Sequence, residues 1–146
     1  MIKVSNLSKS YGQIEAVKNI SFDVRKGSFF AFLGPNGAGK STTIHILCTL
    51  LKKDHGQVMI NGYEVEKDDD LIRKSIGVVF QHHMLDGKLT VYQNLLIRGS
   101  FYQIPKQEII KRIDELQKLL SIDYLHQPYK TLSGGQKRKA DIARAL

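Results

Sequence analysis

The residues best suited to chemistry are Gly34-Pro35-Asn36-Gly37-Ala38-Gly39-Lys40-Ser41, a match to G-x-x-x-x-G-K-[ST]. Glycines at this spacing let backbone N–H groups curl toward phosphate oxygens without a side-chain clash. A helix beginning near Gly39 points its positive dipole end at the same oxygens. Lys40 is placed to bridge β- and γ-phosphates, Ser41 to ligate Mg²⁺, and Thr42 to add a phosphate contact. At average residue frequencies the bare pattern arises by chance in ~1 of 200 chains of this length. By itself the loop leaves GTPases, kinases and many ATPases open.

Such a loop needs a strand before it and a helix after it. Phe29-Phe30-Ala31-Phe32-Leu33 is a continuous apolar run, the pattern of a strand buried on both faces in a parallel sheet. Ser41 to Leu51 carries apolar residues at helical spacing. Upstream, residues 2–7 alternate as a strand, Tyr11-Gly12 marks a turn, and Ala16 to Val24 reads as a short strand pair ending at Arg25-Lys26-Gly27. Downstream, Gly56 to Val65 predicts a hairpin turning at Asn61-Gly62, and Asp68-Asp69-Asp70 is placed to open a short helix. Ile76 to Phe80 predicts a second buried strand, ending at Gln81. Thr90 is a cap for a helix over Val91 to Tyr102. Pro105 begins another, with Ile109, Ile110, Ile113, Leu116, Leu119 and Leu120 as its apolar stripe, read as core and not as a cofactor box.

After a loop at Gln127-Pro128 comes Leu132-Ser133-Gly134-Gly135-Gln136, a small-residue turn opening a last helix, with a hydroxyl and exposed N–H groups suited to a phosphate. A chance match to this pentapeptide is on the order of 1 in several thousand chains. Downstream of the glycine-rich loop, it resembles the signature of the ATP-binding-cassette (ABC) ATPase family. The resemblance implies an α/β P-loop NTPase fold: an N-terminal antiparallel β subdomain, a partial RecA-like parallel sheet, and a helical subdomain carrying the signature. It divides the chain into a P-loop core with β subdomain over about 1–85, a helical subdomain over about 86–135, and a return toward the core over 136–146.

Roles follow from the resemblance residue by residue. Tyr11 matches the aromatic that stacks on adenine, although a Tyr before Gly is by itself an ordinary turn residue. Gln81 matches the glutamine that reaches Mg²⁺ and the attacking water and senses the transporter. Ser133, Gly134, Gly135 and Gln136 match the segment whose serine and second glycine touch the γ-phosphate held by the opposite subunit of a head-to-tail dimer. Thr90-Val91, Asn94-Leu95 and Asp141-Ile142-Ala143-Arg144-Ala145-Leu146 resemble the daunorubicin-resistance, multidrug-exporter branch. The implied ligands are ATP and Mg²⁺. The implied partners are a second ATPase subunit and a separate transmembrane permease, at the cytoplasmic face of the membrane.

The family continues past Ala145-Leu146 with an apolar strand ending in Asp-Glu, a D-loop and a switch histidine. The sequence is therefore read as cut before its catalytic carboxylates, without a general base, so that it binds nucleotide and hydrolyses it poorly. An absent central strand would expose the edge and faces of Phe29–Leu33, and either self-association or a partly disordered C-terminal segment is expected. The alternative is an ABC ATPase acting on nucleic acid or ribosomes. About 90 residues separate Lys40 from Ser133, which suits a transporter helical subdomain and leaves no room for a long coiled coil.

Composition bounds the rest. The formal charge is +8, and it is spread as +4 over residues 1–99 and +4 over 100–146 (13 basic against 9 acidic, then 9 against 5), with no dense cationic block to suggest a nucleic-acid face. Cys48 is alone, so an intrachain disulfide framework is excluded, and its apolar neighbours predict a small buried hydrophobe. No apolar run approaches the length that spans a bilayer, and the N-terminus has no signal-peptide core. His82 and His83 follow Gln81. Adjacent side chains of an extended segment face opposite ways, so exposed loop histidines are expected there, and His45 reads as packing or surface.

Overall fold

The computed structural model describes all 146 residues, which divide into two compact units, Met1–Ile76 and Gly77–Leu146. The first is built on an antiparallel sheet of order β2-β1-β3-β4, with β1 at Ile2–Tyr11, β2 at Ile14–Val24, β3 at His55–Ile60 and β4 at Tyr63–Glu64. The β1–β2 hairpin is longer than its sequence suggests and turns at Gly12-Gln13, with Tyr11 opposite Ile14. The expected Asn61-Gly62 turn joins β3 to β4. Both residues have positive φ (51° and 92°), the pairing that matches the twist of antiparallel strands.

Helix α1 (Lys40–Leu47) follows the glycine-rich loop and ends earlier than expected, because Thr49 turns into the left-handed region at φ 57°. Helix α2 (Asp69–Ser75) opens at the acidic cluster, but those carboxylates do not cap it. Asp68 and Asp69 instead accept from the backbone N–H groups of Glu64 and Glu66, which ties the β4 turn to the helix. Val4, Leu7, Val17, Ile46, Val58 and Ile72 form the core between sheet and helices.

The second unit is helical: α3 (Val91–Ser100), α4 (Lys106–Leu120) and α5 (Gly134–Ala145), with a short 3₁₀ turn at Tyr129–Thr131. Thr90 caps α3 as expected, and Gln93 returns the bond to the Thr90 N–H. The start of α3 and the loop before it bond to residues 125–130, through Tyr92 N–H to the Leu125 carbonyl (2.8 Å) and Tyr129 N–H to the Leu89 carbonyl (2.8 Å). Of the predicted α4 stripe, Ile109, Ile113 and Leu116 are buried, while Leu119 is exposed, so the stripe is narrower than it reads. No helix is long and apolar enough to cross a membrane.

One expectation is corrected. Neither Phe29–Leu33 nor Ile76–Phe80 forms a strand, and every strand ladder in the chain is antiparallel and lies within β1–β4, with one isolated antiparallel bridge between Thr90 and Pro128. The composition of both segments suits a strand buried on two faces, but a parallel ladder exists only through neighbours that accept and donate along it. Neither segment has such a neighbour here. Phe29 and Leu33 are consequently 95% and 91% exposed. Large exposed apolar side chains beside unpaired backbone favour self-association. Sedimentation of the chain should show concentration-dependent oligomers, and replacing both residues in F29K/L33K should shift it to monomer with unchanged helicity. A wild-type chain that stays monomeric throughout would contradict this.

Candidate functional site

The glycine-rich loop is positioned from both sides. Upstream, Phe30 and Phe32 pack on Phe22 of β2: the Phe22 and Phe30 rings stack at 5.2 Å, and Phe32 meets each edge-on at 5.1–5.2 Å. Aromatic packing thus holds residues that no ladder holds. Together with Ile2, Val24 and Ile44, the Phe30 and Phe32 rings border an open cavity of about 590 Å³ that reaches Lys40 and Ser41. Downstream, Gly39 lies against β2. A Cβ built on it would sit 2.2 Å from the Ala16 carbonyl oxygen, and its φ is 78°, so both the space and the backbone demand glycine.

Helix α1 starts at this contact without a side-chain cap. Its first-turn N–H groups therefore have no partner within the helix and none from a capping residue, and they carry the positive end of the helix dipole. Lys40 Nζ folds back over the loop and donates to the carbonyls of Gly34 (2.7 Å) and Pro35 (2.6 Å). The buried Thr43 hydroxyl donates to the Gly39 carbonyl (2.9 Å) and fixes the first turn. Ser41 is exposed and Thr42 half-buried, and Pro35, Asn36, Gly37 and Ala38 are exposed. Free donors, a cation and a hydroxyl at one helix start form a donor set that fits phosphate oxygens and an Mg²⁺ bound to them.

Tyr11 lies in the same unit. Ala16 touches Gly39, Ile14 is two residues farther along β2, and Tyr11 pairs with Ile14 across the hairpin. At about 3.3 Å per residue this sets Tyr11 about 7 Å along the strands from the loop contact. Its ring is half exposed, with Lys9 Nζ 5.8 Å from its centroid.

In the second unit the signature turn opens α5. Ser133 Oγ accepts from the Gln136 N–H (3.3 Å), and Gln136 Oε1 accepts from the Ser133 N–H (2.9 Å), a reciprocal cap that leaves the serine hydroxyl hydrogen free to donate. Gly134 and Gly135 have no positive φ, and a Cβ on either would meet nothing within 4 Å. Nothing inside the chain therefore requires glycine at these exposed positions.

Gln81 is exposed at the end of residues 76–80. The segment around it is held by α5: Arg138 donates to the Phe80 carbonyl (2.7 Å), Arg144 to the Val78 carbonyl (2.6 Å), and His83 Nδ1 meets Asp141 Oδ2 at 2.7 Å. Both histidines are exposed loop residues, as expected, and the structure adds a contact that the sequence did not suggest. His83, although exposed, is engaged with a buried carboxylate, whose other oxygen accepts from the Tyr129 hydroxyl (3.0 Å). Burial, and then the bond to Asp141, pushes the Tyr129 phenol well above its ordinary range, so it remains a donor. The sequence reading missed Asp141, Tyr129 and His83 as a set. The available signal was a carboxylate inside the buried stripe formed by Ala140 and Ala143.

Cys48 is half-buried at the end of α1, and burial raises its thiol pKa, consistent with an inert packing residue. His45 is exposed.

Comparisons with known proteins point to one family. A family model described as "ABC transporter" matches residues 17–146. The linearmycin resistance ATP-binding protein LnrL of Bacillus subtilis is 37% identical over 147 residues, covering 100% of this chain and 47% of LnrL. The methionine import ATP-binding protein MetN of Photorhabdus laumondii is 40% identical over 155 residues, covering 100% of this chain and 45% of MetN. The chain thus spans about half the length of the curated relatives it matches. Among solved structures, the dimeric bacterial ABC transporter cassette MJ0796 superposes with a TM-score of 0.82 at 33% identity, over 100% of this chain and 69% of that one.

The loop geometry carries a direct test. Gly39→Ala should cost on the order of 3 kcal/mol in chemical denaturation, combining a left-handed backbone with a clash against Ala16. A loss below about 0.5 kcal/mol, the range of a neutral surface change, would mean that the loop does not rest on β2.

Proposed function

The chain belongs to the ABC transporter family, and on that premise we propose that it is the nucleotide-binding part of a membrane transporter's ATPase. The observation that carries the reading is the uncapped start of α1 under Lys40. Lys40 gives up its bonds to Gly34 and Pro35 and turns to the β- and γ-phosphates, while the N–H groups at the start of α1 take the remaining oxygens. Ser41 would hold Mg²⁺ at the start of α1, Thr42 would add a phosphate contact, and the family resemblance gives Gln81 a contact to the same ion. When bound, Mg²⁺ would neutralise charge on the phosphate oxygens. Tyr11 offers its exposed ring to adenine.

The signature turn acts on a second copy or a sister subunit. Two glycines that no internal packing explains, beside a serine with a free hydroxyl hydrogen, suit close approach by a phosphate held elsewhere. The dimeric cassette among the structural relatives supports this arrangement. A separate permease then moves the solute, with the ATPase at the inner face of the membrane. We assign export, on the Thr90-Val91, Asn94-Leu95 and Asp141–Leu146 words and on the likeness to a resistance protein. The import proteins among the relatives share the cassette at comparable identity, so the direction rests on those words.

For hydrolysis a carboxylate must polarise water beside the γ-phosphate. The Asp-Glu pair in this sequence, Asp114-Glu115, is an exposed pair on α4, where Glu115 pairs with Arg112 (3.1 Å). It ends no strand and is unsuited to the task. A polypeptide of these 146 residues should therefore release phosphate from ATP only at a trace rate. Turnover of about 1 s⁻¹ or faster in a highly purified sample would sink this reading. Adenine recognition has its own test. Tyr11→Ala should weaken ATP binding by about 1–3 kcal/mol, the scale of one base–aromatic stack, and leave inorganic tripolyphosphate binding unchanged. Equal losses for both ligands would remove Tyr11 from the adenine site.

A further inference from the structure

Residues 78–83 have no ladder partner, yet three side chains of one helix hold them. Arg138, Asp141 and Arg144 recur every three residues, so they share one face of α5. They grip, in turn, the Phe80 carbonyl, the His83 ring and the Val78 carbonyl. Gly77 permits the approach, since a Cβ there would lie 2.2 Å from the Ala145 carbonyl oxygen. Gln81 thus sits between two anchored residues, and its own exposed side chain is free for another task.

The three grips are not equivalent. The arginines are donors to backbone carbonyls and hold only the chain before Gln81. His83 holds the chain after it, through a carboxylate whose side chain is 4% exposed. Both oxygens of that carboxylate are used, one by His83 and one by Tyr129, and the His83 ring also packs edge-on to Tyr129 with centroids 6.0 Å apart. A buried carboxylate stripped of a donor is costly, so the histidine is held in one place. Asn94 continues the fixation. Its buried amide accepts from the Asp86 N–H and donates to the carbonyls of Asp86 and Thr90.

We propose that His83 is a positioning residue, whose bond to Asp141 fixes Gln81 relative to the signature turn on the same helix. The inference rests on the reading of Gln81 as a residue that reaches Mg²⁺. Without the His83 bond, residues 81–84 are left between the Phe80 carbonyl on one side and, on the other, Leu85 packed on the helical core and the Asn94 cluster. Gln81 then samples many positions, and its contribution at the nucleotide is diluted.

The test uses the whole chain and two readouts. The first needs no ligand: in ¹⁵N relaxation, His83→Ala should lower the order parameters of the Gln81 and His82 N–H groups from about 0.85 to below about 0.6, while α4 keeps its values. His83→Asn, whose side-chain N–H₂ can replace Nδ1 as donor, should restore them. The second is the gain in ATP affinity on adding Mg²⁺, measured by calorimetry with EDTA as the reference. His83→Ala should reduce that gain by about tenfold, the scale of one hydrogen bond to a charged group, and leave affinity in EDTA unchanged. Gln81→Ala should do the same. If His83→Ala lowers the melting temperature but leaves order and the Mg²⁺ gain intact, the residue is structural and the proposal is overturned. If Gln81→Ala removes the gain and His83→Ala does not, the proposal fails while the reading of Gln81 stands. If Gln81→Ala keeps the gain, that reading fails and the proposal with it.

Discussion

A loop that binds phosphate must keep its own donors unpaired, and a chain ordinarily folds to pair them. Here the conflict is resolved at a single contact, where the Gly39 backbone rests against the Ala16 carbonyl of β2. That contact starts α1 at a fixed place, and Thr43 locks its first turn onto the Gly39 carbonyl. No side chain then caps the helix, so its leading N–H groups face outward with Lys40 folded across them. The long β1–β2 hairpin has the same dependence, because the register that brings Ala16 to Gly39 also brings Tyr11 to its end.

The second unit meets a related constraint by other means. Residues 76–80 are apolar enough for a buried strand but have no ladder, and their carbonyls must find donors elsewhere. Arg138 and Arg144 supply two. The same helix carries the signature turn at its other end, so the glutamine segment and the serine turn are tied to one rigid element. Arg144 lies partly buried with its Nε unpartnered, and burial lowers its pKa. The unit retains an arginine there despite that cost, which fits a side chain kept for its grip on Val78 and its contact with the Phe80 ring.

Local features were the legible ones. Asn61-Gly62 allows little besides a hairpin turn, Thr90 and Ser133 each stand three residues before a glutamine that completes a capping box, and the glycine-rich loop announces its helix. The strands expected at 29–33 and 76–80 were not realised, because apolar composition reports what a segment could bury and not whether a neighbour is present to pair with it. The His83–Asp141 pair was missed for a different reason. The two residues are 58 apart in sequence, and nothing in either local context says which distant donor a mid-helix aspartate will take.

The central claim is that this chain builds a nucleotide cradle from its own residues, at the start of α1. Calorimetric titration of the chain with Mg-ATP, with Lys40→Ala as control, tests it most directly. Saturable binding that disappears in the variant is the predicted result. A folded chain that takes up no nucleotide, or one that binds equally well without the lysine amine, would contradict the account.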